Sequence, residues 1–356
     1  MSHLFHHLQL RDVEFANRAW VSPMCQYSAT DGVVGAWHFA HLGALATGGA
    51  GLIMAEATGV SPDGRISVNC AGIWNEEQVA AWRPIVDFAH SQGTRIGLQL
   101  AHAGRKGSTL APWGGHLMAS EQEGGWTAVA PSALAFEGYD VPHELSASEI
   151  ALVVQAFADA AVRATSAGFD LVEVHAAHGY LAHQFLSPLS NLRVDHYGGS
   201  FENRVRFLCE VVEAVRAALA SPVPLFVRIS ATDYSEGGWD LDQSVRLARR
   251  LKGLGVDLID VSSGGNVAGV RIPVGPGYQV HFAEAIRSGA KLATSAVGLI
   301  TEPEQAEEIV ASGQADAVML ARAFLRNPRW ALMAAERLGE FITWPRQLER
   351  ARTLRA

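Results

Sequence analysis

Eight short runs of apolar and β-branched residues, separated by longer amphipathic or polar stretches, are the feature that most constrains how this chain can fold. A strand followed by a helix, eight times over, predicts an α/β protein built as a parallel (β/α)8 barrel, the TIM barrel. Continuous apolar strands are typical of a parallel sheet covered on both faces, as such a barrel requires. We expect one domain over residues 1–356, with strands at residues 18–24, 50–57, 95–102, 170–176, 224–230, 257–263, 292–298 and 316–322.

The segments between these runs are not alike. Helical patterns occupy residues 147–167, 201–219, 242–254 and 302–312. The last of these follows Thr301 and contains Pro303, a pattern typical of a helix whose start is capped by threonine. Residues 104–145, after the third predicted strand, are instead rich in glycine, proline and tryptophan. A long segment of this kind at the C-terminal end of a barrel strand predicts a lid.

Charge and composition exclude several classes of partner. The formal net charge is −8 and no run of lysine or arginine occurs, which argues against binding to nucleic acid or an anionic membrane. The N-terminus has no apolar signal-peptide region, and we expect no later stretch long and apolar enough to span a membrane. Three widely separated cysteines, Cys25, Cys70 and Cys209, suit a reducing compartment. We therefore expect a soluble cytoplasmic protein that acts on a small molecule.

The active site of a (β/α)8 barrel lies at the C-terminal ends of its strands. Polar or conformationally permissive residues follow nearly every predicted strand of this chain: Ser22 to Tyr27, Ala57, Gln99, His175 with His178, Arg228, Gly298, and Ala321 with Arg322. We expect these residues to meet around one pocket.

Two histidines three residues apart, His175 and His178, allow three interpretations. A zinc site would need a third protein ligand, and the first strand ends in Cys-x-Tyr rather than His-x-His. Each histidine alone could be a satisfied structural side chain. Two neutral imidazoles facing a pocket can also donate hydrogen bonds to one oxygen and polarise a carbonyl. Tyr180 is close enough along the chain to donate a proton to the same ligand, or to pack under the lid.

A charge at the end of an apolar strand, as at Arg228, is costly without a partner and predicts an anion or an electron-rich ring. Gly298 permits close approach of the backbone, and Ala321 and Arg322 lead into a helix at the eighth strand, where barrels often hold a phosphate. Cys25 could tune a redox-active ring or could be a small buried hydrophobe.

The strand-end motifs together resemble those of one family. The stretches SPMCQYSA, QLAHAGRK, HAAHGYL followed by HQFLSP, and YGGS followed by ENR are similar to those of the Old Yellow Enzyme family of FMN-dependent ene-reductases. The Cys-x-Tyr sequence at the first strand and the WPRQLER sequence near the C-terminus resemble its YqjM and xenobiotic reductase subgroup, also called thermophilic-like. The similarity extends over nearly the whole chain.

This resemblance implies a single FMN-binding barrel and assigns roles to individual residues. FMN would be held by Ser22, Pro23, Met24, Cys25, Ala57, Gln99 and Arg228, and its phosphate by Gly298, Ala321 and Arg322. Cys25 would also tune the flavin potential, and Tyr27 would lie over the substrate. His175 and His178 would bind a carbonyl or nitro oxygen, while Tyr180 would protonate the carbon α to it.

The resemblance also implies a reaction and an assembly. NADPH or NADH would give a hydride to N5 of FMN and leave, and an enone, enal, maleimide or nitroalkene would then be reduced at the same site without a metal. Arg350, in a tail of about residues 340–356, would reach the active site of a neighbouring subunit in a homodimer or homotetramer. Two residues depart from the family pattern, since Ala321 replaces the usual glycine and Leu348 stands where a tyrosine is frequent.

Three other functions stay open from the residues alone. A flavin-binding redox sensor would act through Cys25. Another FMN-barrel enzyme would be a dienoyl-CoA reductase or a dihydroorotate dehydrogenase. The dienoyl-CoA type would need an iron-sulfur cluster, which three scattered cysteines do not ligate. A Schiff-base aldolase would need a lysine at a central strand end, whereas the sixth strand ends in Ser262 and Ser263.

Overall fold

A closed barrel of eight parallel strands forms the centre of the molecule, in a computed structural model that describes residues 2–352. Each strand pairs with its neighbours in chain order, and the eighth closes onto the first. The strands are β1 (Ala19–Val21), β2 (Leu52–Gly59), β3 (Arg95–Ala101), β4 (Leu171–Ala176), β5 (Leu225–Ser230), β6 (Leu258–Ser262), β7 (Ala293–Ala296) and β8 (Ala317–Leu320). Seven of them lie within the predicted runs, and β2 extends two residues beyond its run, so the predicted fold class is confirmed.

Helices follow every strand and cover the outside of the barrel. They are α1 (Ala36–Ala46), α2 (Glu76–Ser91), α3 (Ala147–Ala167), α4 (Leu181–Leu186), α5 (Phe201–Arg204), α6 (Arg206–Ala218), α7 (Leu241–Gly253), α8 (Val280–Ala290), α9 (Pro303–Ala311), α10 (Arg322–Arg326) and α11 (Trp330–Arg337). The predicted threonine cap of α9 is wrong. Glu302 occupies the cap position without a side-chain bond, and the Thr301 N–H donates instead to Oε1 of Gln305 at 3.1 Å.

Helix α3 is the one described helix whose length and composition would allow it to cross a membrane. The expectation that no stretch of the chain reaches this length is therefore wrong. Its apolar side chains have partners within the barrel, because Ile150, Phe157 and Ala161 are buried and the helix packs against α6. The helix begins at Ser146, whose side chain accepts from the Glu149 N–H, and ends at Gly168 in the left-handed conformation. An amphipathic helix on a barrel meets the same criteria of length and hydropathy.

The N-terminal end of the barrel is closed by apolar packing. Two short antiparallel strands, Leu8–Leu10 and Val13–Phe15, form a hairpin below the barrel. The Phe15 ring lies 4.9 Å from that of Trp20, which in turn stacks on Phe226 at 5.9 Å between ring centroids. All three side chains are fully buried, and burial of each contributes roughly 1.5–3 kcal/mol. The open, polar mouth is therefore at the opposite end, where the strands finish.

The connection between β3 and α3 is the predicted long insertion. It contains two 3-10 turns, Gly104–Lys106 and Glu121–Glu123, and two two-residue strands, with no α-helix among its residues. Its centre is anchored by Arg65, whose guanidinium lies over the Trp126 ring at 4.9 Å and over the Trp74 ring at 5.4 Å. Cation–π contacts of this kind hold the insertion against the loop that follows β2.

Candidate active site

His175, His178 and Tyr180, which the sequence predicts to act together, lie in contact at the end of β4. The ring centroids of the two histidines are 5.2 Å apart, and those of His175 and Tyr180 are 5.0 Å apart. The turn that brings them together is tight, since His178 and Gly179 both have positive φ, +60° and +74°. A Cβ on Gly179 would lie 2.2 Å from the Gly265 carbonyl oxygen, so only glycine fits there.

Hydrogen bonds define which nitrogen of His175 carries its proton. The Ala177 N–H donates to Nδ1 of His175 at 3.3 Å. A nitrogen that accepts a hydrogen bond is unprotonated in the neutral ring, so the proton is on Nε2. His175 therefore presents an N–H donor on the side of its ring away from its own backbone.

His178 is oriented by Ser262 at the end of β6. Its Nε2 lies 2.7 Å from the Ser262 Oγ. The other possible acceptor for the Ser262 hydroxyl, Oε1 of Gln279, is 3.4 Å away and already accepts from Ser263. We assign the Ser262 proton to the shorter of these two contacts, the one to His178, and this assignment leaves the proton of the neutral imidazole on Nδ1. Each histidine of the pair consequently has one N–H available for a ligand oxygen.

Both imidazoles are neutral at physiological pH. Burial lowers the pKa of His175 and of His178 well below the usual range, and the nearby charge of Arg228 lowers both further. The positive charge of Lys106 acts in the same direction. A neutral donor pair polarises a carbonyl without transferring a proton to it.

Tyr180 has a hydroxyl group with no hydrogen-bond partner among the described residues. Burial raises the pKa of this phenol well above its usual value, and neighbouring acidic groups such as Cys25 add to the rise. The hydroxyl is therefore protonated at neutral pH and free to donate to a ligand.

Lys106 is a residue of this site that the sequence analysis did not assign. Its Nζ donates to the backbone carbonyls of His178 and Gly265, both at 2.9 Å, and lies 5.3 Å from the centre of the Tyr180 ring. Burial, with the adjacent charge of Arg105, lowers the pKa of Lys106 to about 8. Its position four residues after His102, in the QLAHAGRK motif, is the sequence feature that could have indicated its place in the site.

Arg228 lies at the end of β5 with most of its donor capacity unused. Its Nε is 3.0 Å from the Asp260 Oδ2, and among the described residues it makes no hydrogen bond. The register places it beside His175 on one neighbouring strand and Asp260 on the other. A buried guanidinium with free N–H groups is expensive unless an acceptor fills the space in front of it.

The barrel interior near Arg228 holds one more carboxyl group besides that of Asp260, namely that of Glu173. Gln99 donates to Oε1 of Glu173 at 2.8 Å, and this side chain is fully buried. Burial raises the pKa of Glu173 to about 8, and the Asp260 carboxylate adds to the rise, while Arg228 opposes it. Two carboxyl groups share a single guanidinium here, so Glu173 holds a proton at pH 7.

The substitution Glu173→Gln tests this protonation. The folded protein keeps a proton on Glu173 up to about pH 8, whereas the unfolded chain releases it near 4.5. Wild-type protein therefore loses stability as the pH rises from about 4.5 to about 8, because the unfolded chain releases the Glu173 proton and the folded protein keeps it. The glutamine variant has no such proton and does not lose this stability. We expect the melting temperature of E173Q, relative to wild type, to rise between pH 5 and pH 8 and then to level off. A difference in melting temperature between E173Q and wild type that stays constant from pH 5 to 9 would show that Glu173 is not protonated at neutral pH.

A cationic cavity lies at the ends of β7 and β8, where the sequence predicts a phosphate site. It has a volume of about 170 Å³, and its described lining contains Arg228, Arg322 and Arg326 but no carboxylate. Ala321 and Gly298 also line it, and the φ of Ala321 is −103°, so this position does not need the left-handed conformation that favours glycine. The cavity has the charge and the position that a phosphate group requires.

Gly298→Ala is expected to weaken FMN binding. Gly298 has a φ of +127°, and an added Cβ would lie 3.0 Å from both the Gln279 Nε2 and the Tyr278 ring at the edge of the cavity. The strained backbone and the crowding should raise the Kd for FMN roughly tenfold or more. Titration of flavin-free protein, followed by the quenching of FMN fluorescence, measures the change. Gly253→Ala is the control, because no atom lies within 4 Å of its Cβ position; equal affinities of the two variants would refute this role.

The loop after β1 forms the remaining side of the mouth. Ser22 continues the sheet by donating its N–H to the Leu320 carbonyl at 3.0 Å, and Pro23 and Met24 follow it, half-buried. Cys25 and Tyr27 pack against a small apolar cluster at the mouth that also includes Ala57 and Tyr180. A β-bulge in β2 at Ala55 and Ala57 shifts the register beside Gln99.

Cys70 is a second residue that the sequence analysis did not place in the site. It belongs to the cluster against which Cys25 packs, and the interaction between the two thiols raises the pKa of Cys25 and lowers that of Cys70. The Ser67 hydroxyl lies 3.3 Å from the Cys70 sulfur as well. Nothing in the spacing of the two cysteines along the chain indicates this contact.

Arg350 is the predicted site residue that the structure does not bring to the mouth of its own barrel. Residues 342–347 line a cavity of about 570 Å³ together with Asn17, Gly49 and Thr94, which precede the first three strands. The tail therefore packs at the N-terminal end of the barrel, and Arg350 is exposed there. Its action in a neighbouring subunit stays a prediction, and residues 353–356 of the predicted tail lie outside the described residues.

The residues at the mouth fit FMN. Arg228 is buried and makes no hydrogen bond among the described residues, and it lines the same cavity as Arg322 and Arg326, so one continuous site offers positive charge to both a ring and a phosphate. Gly298, which also lines this cavity, leaves space where a side chain would crowd Gln279 and Tyr278. The other residues assigned to FMN lie at the ends of β1, β2 and β3: Ser22, Met24, Cys25, Ala57 and Gln99.

Comparison with known proteins gives a consistent result. The NADH:flavin oxidoreductase / NADH oxidase family matches residues 3–340 of the chain. An NADPH dehydrogenase of Listeria monocytogenes is 49% identical over 354 residues, with 99% of each chain covered. An NADPH dehydrogenase of Geobacillus thermodenitrificans is 49% identical over 350 residues, with 98% of each chain covered.

Among solved structures, morphinone reductase has the same fold. It superposes with a TM-score of 0.80 at 32% sequence identity, and the match covers 97% of this chain and 91% of that one. The resemblance to the Old Yellow Enzyme family and the expectation of an FMN cofactor are thereby confirmed. This chain belongs to the NADH:flavin oxidoreductase / NADH oxidase family and is an FMN-dependent oxidoreductase with a nicotinamide donor.

Proposed function

We propose that the enzyme uses NADPH or NADH to reduce the C=C bond of α,β-unsaturated carbonyl compounds and nitroalkenes. One observation carries the proposal, namely that two neutral imidazole donors and a free phenol hydroxyl meet at a single mouth beside Arg228. Membership in a flavin oxidoreductase family supports it, and so does the similarity to a protein named morphinone reductase.

When FMN is bound, it supplies the hydride for the reduction. The two histidines would bind the activating group of the substrate. Nε2–H of His175 and Nδ1–H of His178 donate to its oxygen, where negative charge grows as the β-carbon is reduced. Because the rings are fixed by Ala177 and Ser262, these donors do not have to reorient during the reaction.

Tyr180 would complete the reduction by protonating the carbon α to the activating group. Its raised pKa keeps the proton in place until the α-carbon becomes basic. Lys106 lies over the same ring, so a positive charge is next to the phenolate that the transfer leaves behind.

Arg228 and the arginines of the phosphate cavity would bind rather than react. Arg228 supplies positive charge to the electron-rich ring of the cofactor, which favours its reduced state. Arg322 and Arg326 neutralise the phosphate. Tyr27, whose ring makes an edge contact with Trp113 at 5.9 Å, borders the side from which a substrate enters.

An anaerobic stopped-flow experiment tests the proposal. The holoenzyme is reduced with NADPH, mixed with cyclohexenone, and followed by flavin absorbance. An ene-reductase reoxidises fully in the absence of oxygen and releases cyclohexanone. Reduced enzyme that stays reduced with cyclohexenone, with maleimide and with a nitroalkene would overturn the proposal and favour a redox sensor acting through Cys25 and Cys70.

A further inference from the structure

A buried pair of side chains outside the reacting groups holds the turn that presents them. His183, on α4, is fully buried and accepts the Gly179 N–H at its Nδ1 at 2.9 Å. Its Nε2 lies 3.0 Å from the Oδ1 of Asp233, which follows β5 and is also fully buried. Neither residue faces the mouth, and the chemistry described above uses neither.

Asp233 is in turn held in place by two hydrogen bonds. Its Oδ2 accepts from the Ser187 hydroxyl at 2.5 Å and from the Trp239 N–H at 2.8 Å. Burial raises the pKa of Asp233, but His183, Ser187 and the Trp239 N–H together outweigh this effect and lower it. The carboxylate is therefore ionised, and its two hydrogen bonds orient it beside His183.

The pair defines a single tautomer of His183. Since Nδ1 accepts from Gly179, the ring proton is on Nε2, the nitrogen that lies 3.0 Å from the Asp233 carboxylate. With the proton on Nδ1, the Gly179 N–H would face another N–H. A buried amide without an acceptor destabilises the folded state.

The turn needs such support because its backbone is strained. His178 has a φ of +60°, in the left-handed region that residues other than glycine seldom adopt. Other polar contacts also hold the turn. Ser230 accepts the His178 N–H at 2.9 Å, Lys106 donates to the His178 carbonyl, and the Gln184 amide donates to the Gly179 carbonyl at 2.7 Å. Among the described residues, His183 alone accepts the Gly179 N–H, which lies between the imidazole of His178 and the phenol of Tyr180.

We propose that His183 and Asp233 are positioning residues that hold the strained turn at Gly179, and through it fix the directions of the His178 N–H and the Tyr180 hydroxyl. The inference rests on the proposed function, because those two groups matter only if they bind and protonate a substrate. It assigns the pair no direct contact with substrate or cofactor.

His183→Phe and His183→Gln separate this role from simple space filling. Phenylalanine fills the site but cannot accept from Gly179, whereas the glutamine amide offers one acceptor and one donor. We expect H183F holoenzyme to bind p-chlorophenol, read from the flavin absorbance, roughly tenfold or more weakly than wild type, with a similar loss in the rate of reoxidation by cyclohexenone. Reduction by NADPH should stay within about twofold, and H183Q should recover both losses.

His90→Phe is the matched control. His90 also pairs with a carboxylate, Asp170 at 2.8 Å, but at the N-terminal end of the barrel, so its replacement should leave phenol binding unchanged. H183F with wild-type phenol affinity and reoxidation rate would refute the positioning role while leaving the proposed function intact. Wild-type holoenzyme that fails to reoxidise would refute the proposed function and, with it, this inference.

A measurement on the unmodified holoenzyme covers the case in which H183F does not fold. Long-range ¹H–¹⁵N NMR on histidine-labelled protein distinguishes the two neutral tautomers of His183. The structure requires the proton on Nε2. A proton on Nδ1, or on both nitrogens at neutral pH, would refute the network.

Discussion

Replacing Tyr180 with phenylalanine should slow the reoxidation of reduced enzyme by cyclohexenone by roughly 100-fold or more, the usual size of a lost general acid. The reduction of the flavin by NADPH should change little, because that half-reaction needs no proton from the phenol. The reason is the position of the hydroxyl, which is protonated, partnerless and in ring contact with His175. Stopped-flow absorbance measures the two half-reactions separately.

Tyr197→Phe is the control for the loss of a phenol hydroxyl. Its hydroxyl donates to the Glu210 carboxylate at 3.0 Å, and its ring packs on Phe185, outside the mouth. Y197F should therefore keep both rates. If Y180F slows both half-reactions equally, or neither, Tyr180 is not the proton donor. When Y180F turns over in deuterated water, deuterium should still appear at the α-carbon of the product. It should appear at the same slow rate as the residual reoxidation of this variant.

The second large effect is expected for His178→Ala. Loss of one of two donors to the substrate oxygen should lower the rate of enone reduction by roughly 100- to 1,000-fold. Phenol binding should weaken in parallel, since the same two N–H groups meet the phenol oxygen. His178 is not among the residues assigned to FMN, so we expect H178A to leave the FMN content near its wild-type value.

His178→Asn is the matched variant, for two physical reasons. The asparagine amide retains an N–H donor, and asparagine tolerates the left-handed backbone at this position better than alanine does. We expect H178N to recover most of the lost rate. His196→Ala, at an exposed position, controls for loss of an imidazole elsewhere. Equal rates for H178A and H178N would exclude hydrogen-bond donation as the function of residue 178.

Strand positions could be predicted because they depend on local pattern. Residues 170–176 and 224–230 read as strands from their apolar runs alone, and they became β4 and β5 almost without change. The residues after them followed directly, because the ends of parallel strands meet at one face of a barrel. His175 and Arg228 are neighbours in the sheet for this reason, although 53 positions separate them.

The predictions from sequence that were wrong or missing concern features that depend on contacts between segments far apart in the chain. Helix α3 satisfies the length and composition of a membrane span, yet its apolar face packs on α6. The contact between Cys25 and Cys70 depends on how the loops after β1 and β2 pack together, which no local pattern encodes. The position of the tail that carries Arg350 depends on its packing against residues that precede the first three strands, which are distant from it in the sequence.

The sequence by itself determined the barrel, its family and the side chains at its mouth, because strand periodicity and strand-end motifs are properties of the chain order. Only the tertiary structure decided what those side chains can do. The proton positions of His178 depend on Ser262, 84 positions further along the chain, and its backbone is held by Lys106, 72 positions before it. Such partners meet only when the barrel closes, and hydrogen bonds in a buried site act over about 3 Å, a distance that sequence spacing does not express.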